Sequence, residues 1–189
     1  MPRIRLVKPT LAHESAIRAY LDAVHAAGLP LHGAVLEQFP DVASWIAFCD
    51  APGGTLMPNG VAKVADSTYL AWDDTAAQMR GIINIRHELN EFLRQYGGHI
   101  GYSVHPACWN QGYATEMLAL ALQQCDALGL RELLLTCSPD NPASRRVIEK
   151  KRRRAGQHRR IPRKPRLPLP DTARGIAPRA THASLLSRL

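Results

Sequence analysis

His99-Ile100-Gly101-Tyr102-Ser103-Val104-His105-Pro106, followed after three residues by Asn110-Gln111-Gly112-Tyr113-Ala114-Thr115-Glu116-Met117-Leu118, decides the fold of this 189-residue chain. Ile100, Tyr102 and Val104 alternate with smaller or polar neighbours, the period of a strand, and Pro106 ends it. From Gln111 the period changes: Ala114, Met117, Leu118, Ala121, Leu122, Cys125 and Leu128 form one apolar helical stripe, and Gly129 stops it. Glu132–Cys137 then reads as a short strand, nearly all apolar and buried on both faces. Ser138-Pro139-Asp140 opens a further helix over 141–150. The order is strand, glycine-bearing turn, helix, strand, helix, a βαβα unit inside a mixed sheet.

Working outward, Arg3–Val7 alternates as a first strand, and a helix starts at Pro9-Thr10 and ends at Gly28. Residues 29–67 are irregular apart from a short helix over 42–49. Thr68–Trp72 and Arg80–Arg86 read as the arms of a hairpin turning at Asp73-Asp74. A short helix over 88–96 closes at Gly97-Gly98. No run of 18 apolar residues suggests a membrane span, and no apolar leader follows Met1. Cys49, Cys108, Cys125 and Cys137 form neither a CxxC pair nor a metal-like cluster with histidine, so they read as reduced thiols of a cytoplasmic protein, with no metal expected.

A glycine turn that feeds a strand directly into a helix leaves the N–H groups of roughly Trp109 to Ala114 at the positive end of a helix dipole. Such an end binds phosphate without lysine or arginine, although many strand–helix turns contain glycine for structural reasons alone. The stretch from Gly98 to Leu118 resembles the acetyl-CoA motif of the GNAT superfamily of N-acetyltransferases, Gln/Arg-x-x-Gly-x-Gly/Ala. Asp140–Lys150 resembles that family's next helix. With Ile85-Arg86-His87-Glu88-Leu89-Asn90, the text is most similar to an uncharacterised branch of predicted bacterial acetyltransferases. The resemblance is specific over 68–150 and looser before it.

The resemblance implies an α/β (α+β) fold with a mainly antiparallel central sheet flanked by helices. It implies that Trp109, Asn110, Gln111, Gly112, Tyr113, Ala114 and Thr115 surround the pyrophosphate of acetyl-CoA. Tyr102, Ser103 and Val104 would pair with the pantetheine arm, and Asn141 and Ser144 would meet it from the last helix. The implied reaction is direct attack of an amine, from a small molecule or a peptide, on the acetyl carbonyl, polarised by a backbone N–H. Two positions depart from the pattern. Trp109 stands where the motif has Gln or Arg, and Ile148 where many members carry the tyrosine that protonates the leaving thiolate. A primary amine must also lose a proton. His99 and His87 have the right chemistry for taking it, with a hydrogen-bonded structural role as the competing reading, and Tyr102 is a substrate-positioning candidate. Arg86-His87 equally suits fixing the loop before Gly97.

After Lys150 the resemblance stops. Residues 1–150 carry a net charge of −3, whereas 151–189 carry 12 Lys/Arg against Asp171 alone, with 5 prolines and no aromatic residue. The resemblance implies Asn-Gly-Gly and two further strands here. One extra A in the codons AAG AAC GGC GGC GTG CTN gives AAG AAA CGG CGG CGT GCT, which reads Lys-Lys-Arg-Arg-Arg-Ala, the text from Lys150 to Ala155. The expectation is therefore a GNAT-like domain over 1–150 and a frameshifted, largely disordered basic tail over 151–189. Loss of the last strands would leave the strand at 132–137 with a bare edge, open to pairing in a homodimer. The alternative function is a catalytically weak or inactive remnant whose tail binds nucleic acid non-specifically, with an affinity that falls steeply in salt. No membrane role is expected.

Overall fold

The computed structural model describes residues 2–139, 141–152 and 163–165. Four strands, β1 (Arg5–Val7), β2 (Asp66–Asp73), β3 (Gln78–Arg86) and β4 (Ile100–Val104), form an antiparallel sheet in the order β1-β2-β3-β4. Two helices, α1 (Glu14–Ala26) and α2 (Val42–Asp50), come before β2 in the chain; α3 (Tyr113–Ala127) and α4 (Pro142–Arg152) come after β4. The short strand β5 (Leu135–Cys137) lies between α3 and α4 in sequence, outside the four-stranded sheet.

Successive side chains on a strand point to opposite faces, and β3 shows the consequence. Ile82 packs with Ile17, Tyr20, Val24, Trp45 and Leu70 under α1 and α2. Its neighbours Ile83 and Ile85 pack with Met117, Leu118, Ala121 and Cys125 of α3 and with Ile148 of α4. The sheet is thus covered on both sides, α1 and α2 on one face and α3 and α4 on the other. Ala71 is opposite Gly81 and Trp72 opposite Met79, so Arg80 is an extra residue in β3, a bulge. Its guanidinium reaches Asp73 at 2.9 Å and holds that carboxyl below its ordinary range.

Several elements are shorter or different from their sequence signals. The first strand covers only Arg5–Val7, and the strand expected over 132–137 covers Leu135–Cys137. The backbone N–H and C=O of Leu134 are both bonded to His99 just before the strand begins, and Leu133 is fully buried. The helix expected over 88–96 is a π-turn at Leu93–Gly97, tied down by two bonds from Arg86 Nη1 to the carbonyls of Gly97 (3.2 Å) and Gly98 (2.9 Å). The fixing role read for Arg86 is what these bonds perform.

The largest correction concerns the edge of β5. It is not bare: β6 (Arg163–Pro165) pairs with it in parallel, Leu135 opposite Arg163 and Cys137 opposite Pro165. Three residues of the segment read as a structureless tail therefore occupy the place expected for a second copy of the chain. α4 also runs to Arg152, two residues past the boundary read from the sequence. The disorder and the nucleic-acid contacts expected of 153–162 and 166–189 lie outside the described residues. No helix among the described residues is long and apolar enough to cross a membrane.

Candidate functional site

The site is built where β4 and β5 part. Gly98, in the left-handed region at φ 63°, turns the chain into β4 with no room for a side chain, since an added Cβ would lie 2.5 Å from the Leu134 carbonyl. His99 then joins three strands. Its carbonyl accepts from Arg86 N–H at 2.8 Å, and its N–H donates to the Leu134 carbonyl at 2.8 Å. Its Nδ1 accepts from Leu134 N–H at 2.9 Å. Beyond this point β4 continues in the four-stranded sheet while β5 pairs with β6, and no ladder joins the two. The candidate gap is the space between the two strands beyond the His99–Leu134 vertex.

The vertex bond spends the Nδ1 lone pair of His99, which leaves the ring proton on Nε2. Burial pushes this imidazole below its ordinary value, and the charges of Arg86 and Arg94 act in the same direction. His87 sits at the far end of β3, its Nε2 2.9 Å from Ser67 Oγ, and burial lowers it as well. Tyr102 is on the α3/α4 face of β4, and its hydroxyl meets Ser144 Oγ on α4 at 3.1 Å. Burial raises the Tyr102 phenol, with the Ser144 bond working against it and Cys137 on β5 adding to it. Tyr102, Cys137 and Ser144 thus bring three elements to one place.

Ser103 faces the other way. Its Oγ accepts from His32 N–H at 2.7 Å and donates to the His32 carbonyl at 3.0 Å, so it holds the α1–α2 loop on β4. Gly33 follows at φ 98°, and a Cβ there would lie 2.4 Å from the Gly101 carbonyl oxygen. Trp45 fixes the same loop from α2, its indole N–H donating to the Ala34 carbonyl at 2.8 Å. Val35 is left-handed at φ 48°, a strained conformation for a β-branched residue. This loop went unread in the sequence; Gly33 was its one visible signal.

The other end of β4 runs into the turn. His105 Nδ1 caps a 3₁₀ turn at Pro106–Cys108, and Trp109 N–H closes it on the Pro106 carbonyl at 3.2 Å. Asn110 (φ 60°) and Gly112 (φ 86°) are both left-handed, and Gly112 is the N-cap of α3. A hydrogen-bonded turn over 109–112 leads into α3, whose first turn, beginning at Tyr113 and Ala114, carries N–H groups that an α-helix does not itself pair. Thr115 N–H is already bound to the Gly112 carbonyl, and Gln111 Nε2 to that of Ala107. The Arg3 guanidinium lies 4.3 Å from the centre of the Tyr113 ring and that of Arg80 5.7 Å, so two cations flank the start of α3. Glu116 in the first turn anchors Arg3 at 3.0 Å. Asn141 Oδ1 accepts from Ser144 N–H at 2.9 Å, which starts α4, and Ile148 is buried against α3.

A glycine-capped helix start after the end of β4, with cations beside it, suits a ligand that has phosphates at one end and an extended amide arm at the other. Residues 31–151 match the family model of the acetyltransferase (GNAT) domain. The chain belongs to the GNAT acetyltransferase family. The match ends one residue after the point where the sequence resemblance stops. A solved structure titled "putative ribosomal-protein-serine acetyltransferase" from Vibrio cholerae is similar at 17% identity and TM-score 0.47, over 79% of each chain. No curated protein matches the chain. Membership makes this GNAT chain an acyltransferase, and among its described residues no cluster of three or more His, Cys, Asp or Glu side chains could hold a metal.

Proposed function

We propose that the chain transfers an acetyl group from acetyl-CoA directly to an amine. The observation that carries this reading is that β4 and β5 pair in separate sheets beyond the His99–Leu134 vertex, with the Gly112-capped start of α3 following the end of β4. The N–H groups from Asn110 to Ala114 would hold the pyrophosphate, with Arg3 and Arg80 contributing charge. Ile100, Tyr102 and Val104 would offer their backbone groups to the pantetheine amides, and Asn141 and Ser144 would line the opposite wall. The thioester would then stop at the His99–Leu134 vertex. His99 serves in this reading as the clamp that keeps the gap open, since its basic nitrogen is occupied.

The amine's nitrogen bonds to the acetyl carbon as the carbon–sulfur bond breaks; the amine loses a proton and the thiolate gains one. Ile148 cannot give that proton. Tyr102, kept protonated by burial and held on Ser144, is the group on the α4 side that can. The acceptor would approach from the side of the 31–36 loop, which Ser103 and Gly33 press onto β4. Thiol release from acetyl-CoA, followed across amines, amino acids and peptide N-termini, tests the proposal. Acceptor-dependent release in a one-to-one ratio with acetylated product supports it. Release that ignores the acceptor would refute direct transfer.

A further inference from the structure

We infer that Trp109 sets the affinity of this site for its acyl donor by holding the backbone acceptor that the donor's amide arm must take. The inference rests on the pantetheine reading given above and adds a residue to it. His105 N–H donates to the Arg80 carbonyl at 2.8 Å, one step beyond the Gly81–Val104 pair of the β3–β4 ladder. Inside a ladder a residue's N–H and C=O leave the strand on the same side, so Gly101 and Ser103, in step with His105, face β3. The backbone groups of Ile100, Tyr102 and Val104 therefore face the gap. Val104 is the last of them, beside the phosphate turn.

One lone pair of that carbonyl is already engaged, by a side chain that covers it. The indole N–H of Trp109 donates to the Val104 oxygen at 3.0 Å. The 3₁₀ turn at Pro106–Cys108 is what folds Trp109 back over the end of β4. The ring is not core material: Trp109 is 50% exposed, whereas Trp45 is at 0% and buries its own indole bond. When an arm N–H takes the Val104 carbonyl, the indole N–H passes to water, one hydrogen bond exchanged for another. The ligand thus gains less than it would at an open carbonyl, by the net worth of one neutral hydrogen bond. That is a factor of about five in affinity. The competition touches the arm alone and not the phosphates.

Two ligands separate those ends. Acetyl-CoA carries the arm; adenosine 3′,5′-bisphosphate carries phosphates and no arm. Titration calorimetry of the full chain and of Trp109→Phe, which keeps an aromatic ring and removes the N–H, is expected to show acetyl-CoA binding the variant about fivefold more tightly. The bisphosphate should bind both proteins alike. Trp109→Leu repeats the comparison if the phenylalanine variant misfolds. Acetyl-CoA should also shift the tryptophan emission of the wild type, and the shift should vanish in Trp109→Phe. Equal or weaker acetyl-CoA binding by the variants, or equal tightening of both ligands, would overturn the inference alone. Absence of acetyl-CoA binding in wild type and variants together would overturn the functional reading and this inference with it.

Discussion

Replacing Lys63 with methionine should be among the most damaging single changes available outside the gap. The Lys63 side chain is 4% exposed, pairs with Asp66 Oδ1 at 2.8 Å, and donates to the Phe48 carbonyl at the end of α2 at 2.9 Å. It also lies 4.7 Å from the centre of the Phe48 ring. At an effective dielectric of about 20 the pair attracts by roughly 6 kcal/mol, but taking both charges out of water costs several kcal/mol each, so the net worth of the intact pair is small. Removing one partner is a different matter. Methionine keeps the stem volume yet leaves the Asp66 carboxylate, 14% exposed, with the Asn84 amide donating to its other oxygen at 2.9 Å but without a cation. The cost of such an orphaned charge is about 3–5 kcal/mol, a large share of a domain stability of about 5–15 kcal/mol. Urea unfolding followed by circular dichroism should show this loss for Lys63→Met and a smaller one for Lys63→Met with Asp66→Asn. A loss below about 1 kcal/mol for the single variant, or additive losses in the pair, would refute the argument.

Other outcomes follow from the same geometry. His87, His99 and His105 are all lowered by burial, so the unfolded chain binds more protons in acid and stability must rise with pH. The contribution is complete above the ordinary imidazole value of 6.5 and is lost as pH falls through the folded values. Urea midpoints between neutral and mildly acidic pH should show the fall, and His99→Asn should flatten the slope by up to about 1.4 kcal/mol per pH unit. Gly33→Ala, whose Cβ would lie 2.4 Å from the Gly101 oxygen, should cost roughly 2 kcal/mol or more in the same assay. Gly28→Ala, equally left-handed at φ 63° but with open space around it, should cost only about 1 kcal/mol. With an acceptor in hand, Tyr102→Phe should lower turnover by about 100-fold or more and leave acetyl-CoA affinity within a few-fold of wild type. Equal turnover would remove Tyr102 as proton donor.

The parts legible in the sequence are those that depend on local rules. The alternation of Ile100, Tyr102 and Val104, the stripe from Ala114 to Cys125 and the glycine at 112 each follow from the geometry of one element, and β4, α3 and the turn between them are where these signals placed them. Tertiary partners left no such trace. His99 shows an imidazole of suitable basicity in the sequence, but only the folded chain puts Leu134 N–H on its Nδ1. Trp109 reads as a missing motif residue, whereas its indole bond to Val104 depends on a turn closed by Pro106. Ser103, read as a pantetheine contact, spends its hydroxyl on His32. A left-handed valine at 35 has no sequence signature at all. The partner of β5 was illegible because residues 163–165, Arg-Lys-Pro, carry no alternating apolar pattern.

The frameshift reading of 151–189 has its own check. Sequencing the encoding DNA should find family-like text in the alternative frame after the Lys150 codon, and an alternative frame without it would dismiss the idea.

The central claim is that the gap between β4 and β5, with the N–H groups from Asn110 to Ala114 at its mouth, receives acetyl-CoA. Titration of acetyl-CoA into the purified full-length chain by calorimetry tests it most directly. The account predicts saturable binding at one site per chain, weakened when Gly112 is replaced by valine. A folded protein that takes up no acetyl-CoA, or one whose binding ignores Gly112, would contradict it.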